Sequence, residues 1–328
     1  MNKKIQLLGI GNAIVDILAH VNNQFLRDIG ACPGSMTLID NKEAEQIYNK
    51  MKSKKEISGG SVANTVTGFS KLGGTAAYIG RVKDDHLGNI FVNDMQSIGV
   101  DMRLKPSKKG APTARCYVLI TDDGERTMQT YLGACTELSR EDITSKNISL
   151  AETILIEGYI WDIPDGLSLT KKALEISKVE SSKTALSLSD SLCVDRHRQQ
   201  FHEAIDNNLD IIFGNENEIM SLYEVNSFDK IPQKLKHLKN LFVITRGTKG
   251  SIIFYQGNTI IQEALSVNNV VDTTGAGDVF AAAFLYGLAS KNSLKECSLM
   301  ANWCASKIIQ QSGARLDINL PNKYKNNS

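Results

Sequence analysis

An α/β fold with a mostly parallel central sheet, helices on both faces and a small accessory β-sheet is what this 328-residue sequence predicts. Three observations carry that expectation. Short β-branched runs alternate with segments of helical periodicity along most of the chain, the order that βαβ crossovers produce. Two regions, 14–40 and 113–132, break this rhythm with strand and turn signals. Hydrophobic residues make up 42% and charged residues 22%, which suits a large core and excludes a disordered chain.

The elements follow in order. A first strand covers 5–9, and a second, 14–20, leads through the Pro33–Gly34 turn to 35–40. Helical spacing covers 42–52 and 62–72, then a strand at 76–82 and a helix at 86–98. A polar connection, 105–110, enters strands 113–121 and 127–132, which flank Asp122-Asp123-Gly124 and read as a hairpin. Strands at 153–157, 184–188, 211–213 and 241–245 then alternate with helices at 165–179, 196–207, 216–223 and 229–239. Helices at 276–289 and 293–310 close the pattern, and the tail 321–328 is expected to fray. The expected partition is a core of 1–12, 41–108 and 134–320, with a β lid of 13–40 and 109–133.

Lys and Arg total 37 against 36 Asp and Glu, a net charge of +1. Such a balance builds no strong field for nucleic acid or an anionic membrane, so small molecules are the expected partners. The six cysteines, Cys32, Cys116, Cys135, Cys193, Cys297 and Cys304, form no C-x-x-C pair and suit a reducing compartment. Gln6, Asn12 and Asp16 interrupt the apolar N-terminal stretch, and the run 279–289 is too short to span a bilayer. A cytoplasmic protein is expected, monomeric or homodimeric.

The strongest constellation is DTTGAGD, residues 272–278, opening the helical pattern of Val279, Phe280, Ala283, Phe284 and Leu288. Gly275, Ala276 and Gly277 thus lie at a helix mouth, where free amides and the dipole attract an anion. Asp278 projects a carboxylate beside that site. Two negative groups repel unless a hydroxyl lies between them, with the carboxylate taking its proton as it attacks a phosphoryl group.

DTTGAGD resembles the C-terminal signature of the ribokinase-like family, the phosphofructokinase-B-type sugar and nucleoside kinases. The resemblance runs from Gly9 to about Leu316. It implies a ribokinase-like fold, Asp278 as catalytic base, and Gly275, Ala276 and Gly277 as the anion hole. Gly59-Gly60-Ser61-Val62-Ala63-Asn64 resembles the family's G-G-x-x-x-N signature, which implies acceptor binding by Gly59, Gly60, Ser61 and Asn64. In GNAIVD, Asp16 matches the family's aspartate that grips vicinal hydroxyls, and Asn12 with it suits a ribose or other polyol. A dinucleotide fingerprint at Gly9-x-Gly11 is rejected, because its third glycine position is Ile14.

Asn215 and Glu218 match the family's N-x-x-E element, which organises Mg2+ largely through water. Thr245 and Gly247 match a turn under the nucleotide, and Asn302 matches a position near adenine. Arg126, after the hairpin turn, matches an arginine that clamps phosphate oxygens. Asp272 and Thr274 match positions that shape a monovalent-cation site in some relatives, and whether this chain uses K+ stays open. No G-x-x-x-x-G-K-[ST] run or H-E-x-x-H occurs.

The cofactors implied are ATP and Mg2+. The segments GNAIVD, GGSVANT, TYLGACTEL, EGYIWD and SLSDSLCVDRHR resemble the bacterial adenosine-kinase-like branch. Adenosine is therefore the first acceptor hypothesis, with Leu38, Leu132, Ala134, Tyr159 and Trp161 as candidate walls for its base. Alternatives are a ribose- or fructose-type sugar, another ribonucleoside, or a nucleotide-binding regulatory protein without catalysis.

Overall fold

The computed structural model describes residues 5–51 and 53–315. Lys52, the expected end of the first long helix, and the tail 321–328 lie outside them, as does Leu316. Fourteen strands are present among the described residues, β1 (Ile5–Ile10), β2 (Ile14–His20), β3 (Met36–Leu38), β4 (Lys55–Gly59), β5 (Ala76–Ile79), β6 (Asp101–Met102) and β7 (Ala114–Ile120) in the first half. The second half adds β8 (Arg126–Tyr131), β9 (Ala151–Glu157), β10 (Lys183–Ser187), β11 (Ile211–Asn215), β12 (Leu241–Thr245), β13 (Ser251–Tyr255) and β14 (Asn258–Gln262).

Nine strands form one sheet in the order β14-β13-β12-β11-β10-β9-β1-β5-β6. Every pairing from β12 to β6 is parallel, and only the β12–β13 and β13–β14 pairs are antiparallel. Parallel strands need crossovers, and the helices that supply them bury both faces, so these strands are apolar throughout rather than alternating. One face packs on Val62, Val66, Phe69, Phe280 and Phe284. The other packs on Leu169, Phe201, Ile205 and Ile219.

The second sheet has the order β3-β8-β7-β2-β4. It includes Lys55–Gly59, which the sequence reading placed in the core. This strand is short, polar and at an edge, where one neighbour suffices and apolar alternation is not needed. The β13–β14 hairpin was also not anticipated. Its turn is Gln256-Gly257, both at positive φ (50° and 76°), the backbone of a tight two-residue hairpin. The expected 229–239 helix shrinks to a 3-10 turn, Phe228–Lys230, and the short helix Ile231–Leu235.

Candidate active site

Two helix starts face each other. The Ser61–Lys71 helix begins after Gly60, and the Ala276–Ala289 helix begins after Gly275. Gly60 has φ 93°, and a Cβ there would meet the Asn12 carbonyl oxygen at 2.3 Å. Gly275 has φ 74°, and a Cβ there would meet Ala314 at 2.6 Å. Glycine is required at both by conformation and by close approach.

Asp278 lies between these helix starts. Its Oδ1 accepts from Ser61 Oγ at 2.7 Å and its Oδ2 from Asn64 Nδ2 at 3.0 Å. Burial pushes its carboxyl above the usual range, and the Ser61 and Asn64 hydrogen bonds and the Arg315 charge act against that rise. It lines a cavity of about 100 Å3 together with Ser61, Gly277, Asn215, Glu218 and Thr245. Candidate base, hole, metal element and nucleotide turn therefore meet around one space.

The helix mouth differs in one detail from the sequence reading. The Ala276 amide is turned back to the Thr273 carbonyl at 3.2 Å. Among the described residues the Gly275 and Gly277 amides have no backbone acceptor, which leaves these two to face an anion.

On the other side, Asp16 belongs to β2 of the small sheet. The register sets Leu38, Thr130, Cys116, Asp16 and Ile57 in one cross-strand row. Leu18 and His20 follow Asp16 on the same face. Gly59 is a glycine because a Cβ there would lie 2.3 Å from the Asp16 carboxylate. Burial raises the Asp16 carboxyl to about 7; Arg315 opposes the rise and Asp278 adds to it.

Asn12 and Asn64 are both buried, and the Oδ1 of each has no protein partner. A buried acceptor without a donor costs free energy, so both suit a ligand rich in hydroxyls. Asn215 and Glu218 form a reciprocal capping box at the start of the Glu216–Leu222 helix. Burial pushes Glu218 to about 7. Thr245 ends β12 and Gly247 opens a turn with free space around it.

Asn302 lies one layer behind. Its amide donates to Ser251 Oγ at 2.7 Å and to the Ser298 carbonyl at 2.9 Å. Ser251 pairs with Thr245, so Asn302 braces the strand end that carries Thr245.

Arg126, on the accessory sheet, reaches the core. Its guanidinium donates to Asp272 Oδ2 and to Thr274 Oγ1, each at 2.5 Å. Asp272 also accepts from the Thr274 amide at 2.9 Å and the Gly313 amide at 2.7 Å. Burial works to raise the Asp272 carboxyl, but these bonds outweigh it and hold it below the usual range. A guanidinium already neutralises this carboxylate, so Asp272 and Thr274 as arranged here do not fit a further monovalent cation.

The expected base walls separate. Leu38 is exposed (60%) and shares the Asp16 face, and Leu132 is half-buried. Ala134 is buried, its amide bonded to the Pro112 carbonyl. Trp161 is a core residue, edge-on to Phe201 at 5.0 Å. Tyr159 donates its hydroxyl to Asp190 at 2.5 Å, and its ring packs on the same apolar cluster as Trp161. Both aromatics follow β9 in sequence but turn to the core.

Two residues escaped the sequence reading. Glu157, at the end of β9, accepts from the Val62 amide at 3.0 Å and the Asn12 amide at 3.4 Å. Burial raises it to about 7, and those two amides oppose the rise. A carboxylate ending an otherwise apolar strand was the signal available. Arg315 had none: its burial is purely tertiary.

A helix mouth with open amides, a carboxylate beside it and orphaned hydroxyl-binding groups, on this fold, define a kinase that moves a phosphoryl group from ATP to a hydroxyl. The chain belongs to the pfkB family of carbohydrate kinases, whose model matches residues 28–321. It is 41% identical to the solved adenosine kinase from Sinorhizobium meliloti, with a TM-score of 0.88 and 97% of each chain covered. It is 38% identical to a probable sugar kinase from Rhizobium etli CFN 42, again with a TM-score of 0.88 and 96% of each chain covered. Among curated relatives, it is 29% identical to probable fructokinase-6, chloroplastic, of Arabidopsis thaliana, over 79% of this chain and 71% of that protein.

Proposed function

We propose that this kinase phosphorylates the 5′-hydroxyl of a nucleoside, with adenosine the first candidate and a sugar such as ribose or fructose the second. The observation that favours a nucleoside is the face of the small sheet beside Asp16. Leu18, Ile57 and Ile120 lie on that face near Asp16 and line an opening of about 810 Å3, which His20, Lys50, Lys54 and Lys55 also line. A vicinal diol on Asp16, Asn12 and Asn64 would leave an attached base room to extend toward Leu18 and Ile57, whereas a bare sugar has nothing to place there.

The small sheet serves as the lid, closing over the acceptor and limiting ATP hydrolysis by water. Asp278 orients the acceptor hydroxyl and takes its proton; the Gly275 and Gly277 amides offset charge on the transferring group. Asn215 and Glu218 would hold Mg2+ through water, and the ion when bound would offset phosphate charge. Arg126, while still held by Asp272, turns its remaining N–H groups to phosphate oxygens when ATP arrives. A cytoplasmic location accords with the six free cysteines. Among the described residues no helix is long and apolar enough to cross a membrane.

The test is ADP release with Mg·ATP and a panel of nucleosides and sugars. Adenosine should give the highest kcat/KM. Ribose or fructose turning over far better would overturn the nucleoside reading, and ATP binding with no turnover of any acceptor would favour a regulatory protein.

A further inference from the structure

The described chain ends in a loop that touches both halves of the site. Gly313 donates its amide to Asp272, and Ala314 packs against Gly275. The next residue, Arg315, turns the other way. Its Nε and Nη2 donate to the Ser58 carbonyl at 3.1 and 2.8 Å, and Nη2 also donates to Ser58 Oγ at 2.6 Å. Its Nη1 donates to the Ala63 carbonyl at 3.3 Å and to Thr67 Oγ1. Ser58 in turn donates its hydroxyl to Asp94.

Ser58 is the last residue before Gly59-Gly60, where the lid strand β4 passes into the helix that carries Ser61 and Asn64. Ala63 and Thr67 lie in that helix. One planar fork thus spans the junction, which a point ammonium cannot do.

We propose that Arg315 is a positioning residue of the acceptor site: it fixes the lid-to-helix junction and supplies the positive charge shared by Asp16 and Asp278. The inference rests on the reading of those two carboxylates as acceptor-facing groups. The groups that bear on Arg315 are Asp94, Asp16, Asp278 and Tyr78, from four different elements. Its charge bears on both Asp16 and Asp278 and opposes the rise that burial imposes on each. Glu157 adds no positive charge and stands near Asp278. Without the guanidinium, Asp16 and Asp278 would face each other in a poorly solvated space and hold protons to higher pH.

The experiment uses the full chain with Arg315→Met and Arg315→Lys, folding checked by circular dichroism. The acceptor is whichever compound the wild type turns over fastest. Arg315→Met should move the acid limb of acceptor kcat/KM up by about one pH unit. It should also raise the acceptor KM about tenfold while changing the ATP KM less than about twofold. Arg315→Lys should keep the acid limb in place, since the charge remains, while the acceptor KM still rises several-fold. An unmoved limb in the Met variant overturns the proposal, as does an equal rise of both KM values. If the Met variant does not fold, the Lys variant decides: an acid limb displaced by a residue that keeps the charge overturns it.

Hydrogen exchange at Ser58–Asn64 separates this proposal from the functional reading, because it requires no turnover. Faster exchange in Arg315→Lys than in wild type supports the junction role even if no acceptor is found; equal exchange refutes it.

Discussion

The acceptor side and the ATP side of this site are built differently. Around Asp278 most polar groups hold one another, Ser61 and Asn64 on Asp278, Glu157 on Asn12 and Val62, Arg315 on Ser58, and the Oδ1 atoms of Asn12 and Asn64 are left for a ligand. On the side assigned to ATP, Gly247 and Gly277 have open space around them. Val270 and Val271, just ahead of Asp272 in the chain, are each 53% exposed. The acceptor hydroxyl must be placed within a fraction of an ångström for in-line attack, whereas the nucleotide's base lies far from the reacting atoms. Rigidity is concentrated where placement controls rate.

This contrast is broken most severely from the acceptor side. Gly60→Ala puts a methyl group 2.3 Å from the Asn12 carbonyl at a φ of 93°. It should lower acceptor kcat/KM on the order of a hundredfold and destabilise the fold by about 2 kcal/mol. Steady-state kinetics and a denaturant melt would check both, and Gly247→Ala, on the open side, is the control with the milder effect.

pH sharpens the contrast next. Burial raises Asp16, Glu157 and Glu218 to about 7. Their folded forms bind protons more tightly than the unfolded chain does, so the stability they contribute is greatest below the unfolded carboxylate range. It falls as pH rises toward 7. Asp272, held low, acts in the opposite sense, but below that window. The ligand-free protein should therefore melt at a higher temperature near pH 5.5 than near pH 7.5. Bound acceptor, whose hydroxyls hydrogen-bond the carboxylates, should narrow that difference. A melting temperature that rises steadily with pH across this range would contradict the burial argument.

The smallest effect is expected from the cation. Because Arg126 neutralises Asp272, replacing K+ by Na+ or a bulky organic cation should change the rate by less than about twofold. Activation of tenfold or more by K+ in the same assay would show that Arg126 leaves Asp272 during turnover.

The sequence makes much of this arrangement legible. The main strands and long helices follow from periodicity, and the 276–289 helix has the bounds its pattern predicts. Asp278, Ser61 and Asn64 are readable because each sits at a helix start marked by glycines. What stays hidden is tertiary. Lys55–Gly59 carries no strand pattern because an edge strand needs none. Tyr159 and Trp161 follow a strand, as binding aromatics often do, yet the chain turns them to the core. Arg315 is an arginine in a polar terminal run, and only the packed structure shows it inside.

The central claim is that Asp278 removes the proton from the acceptor hydroxyl beside the helix mouth. Asp278→Asn keeps the side-chain shape and removes the base. Turnover should fall by roughly 10²–10⁴-fold while the dissociation constant for Mg·ATP, measured by calorimetry, shifts much less. Turnover near that of the wild type would take Asp278 out of this role and the account with it.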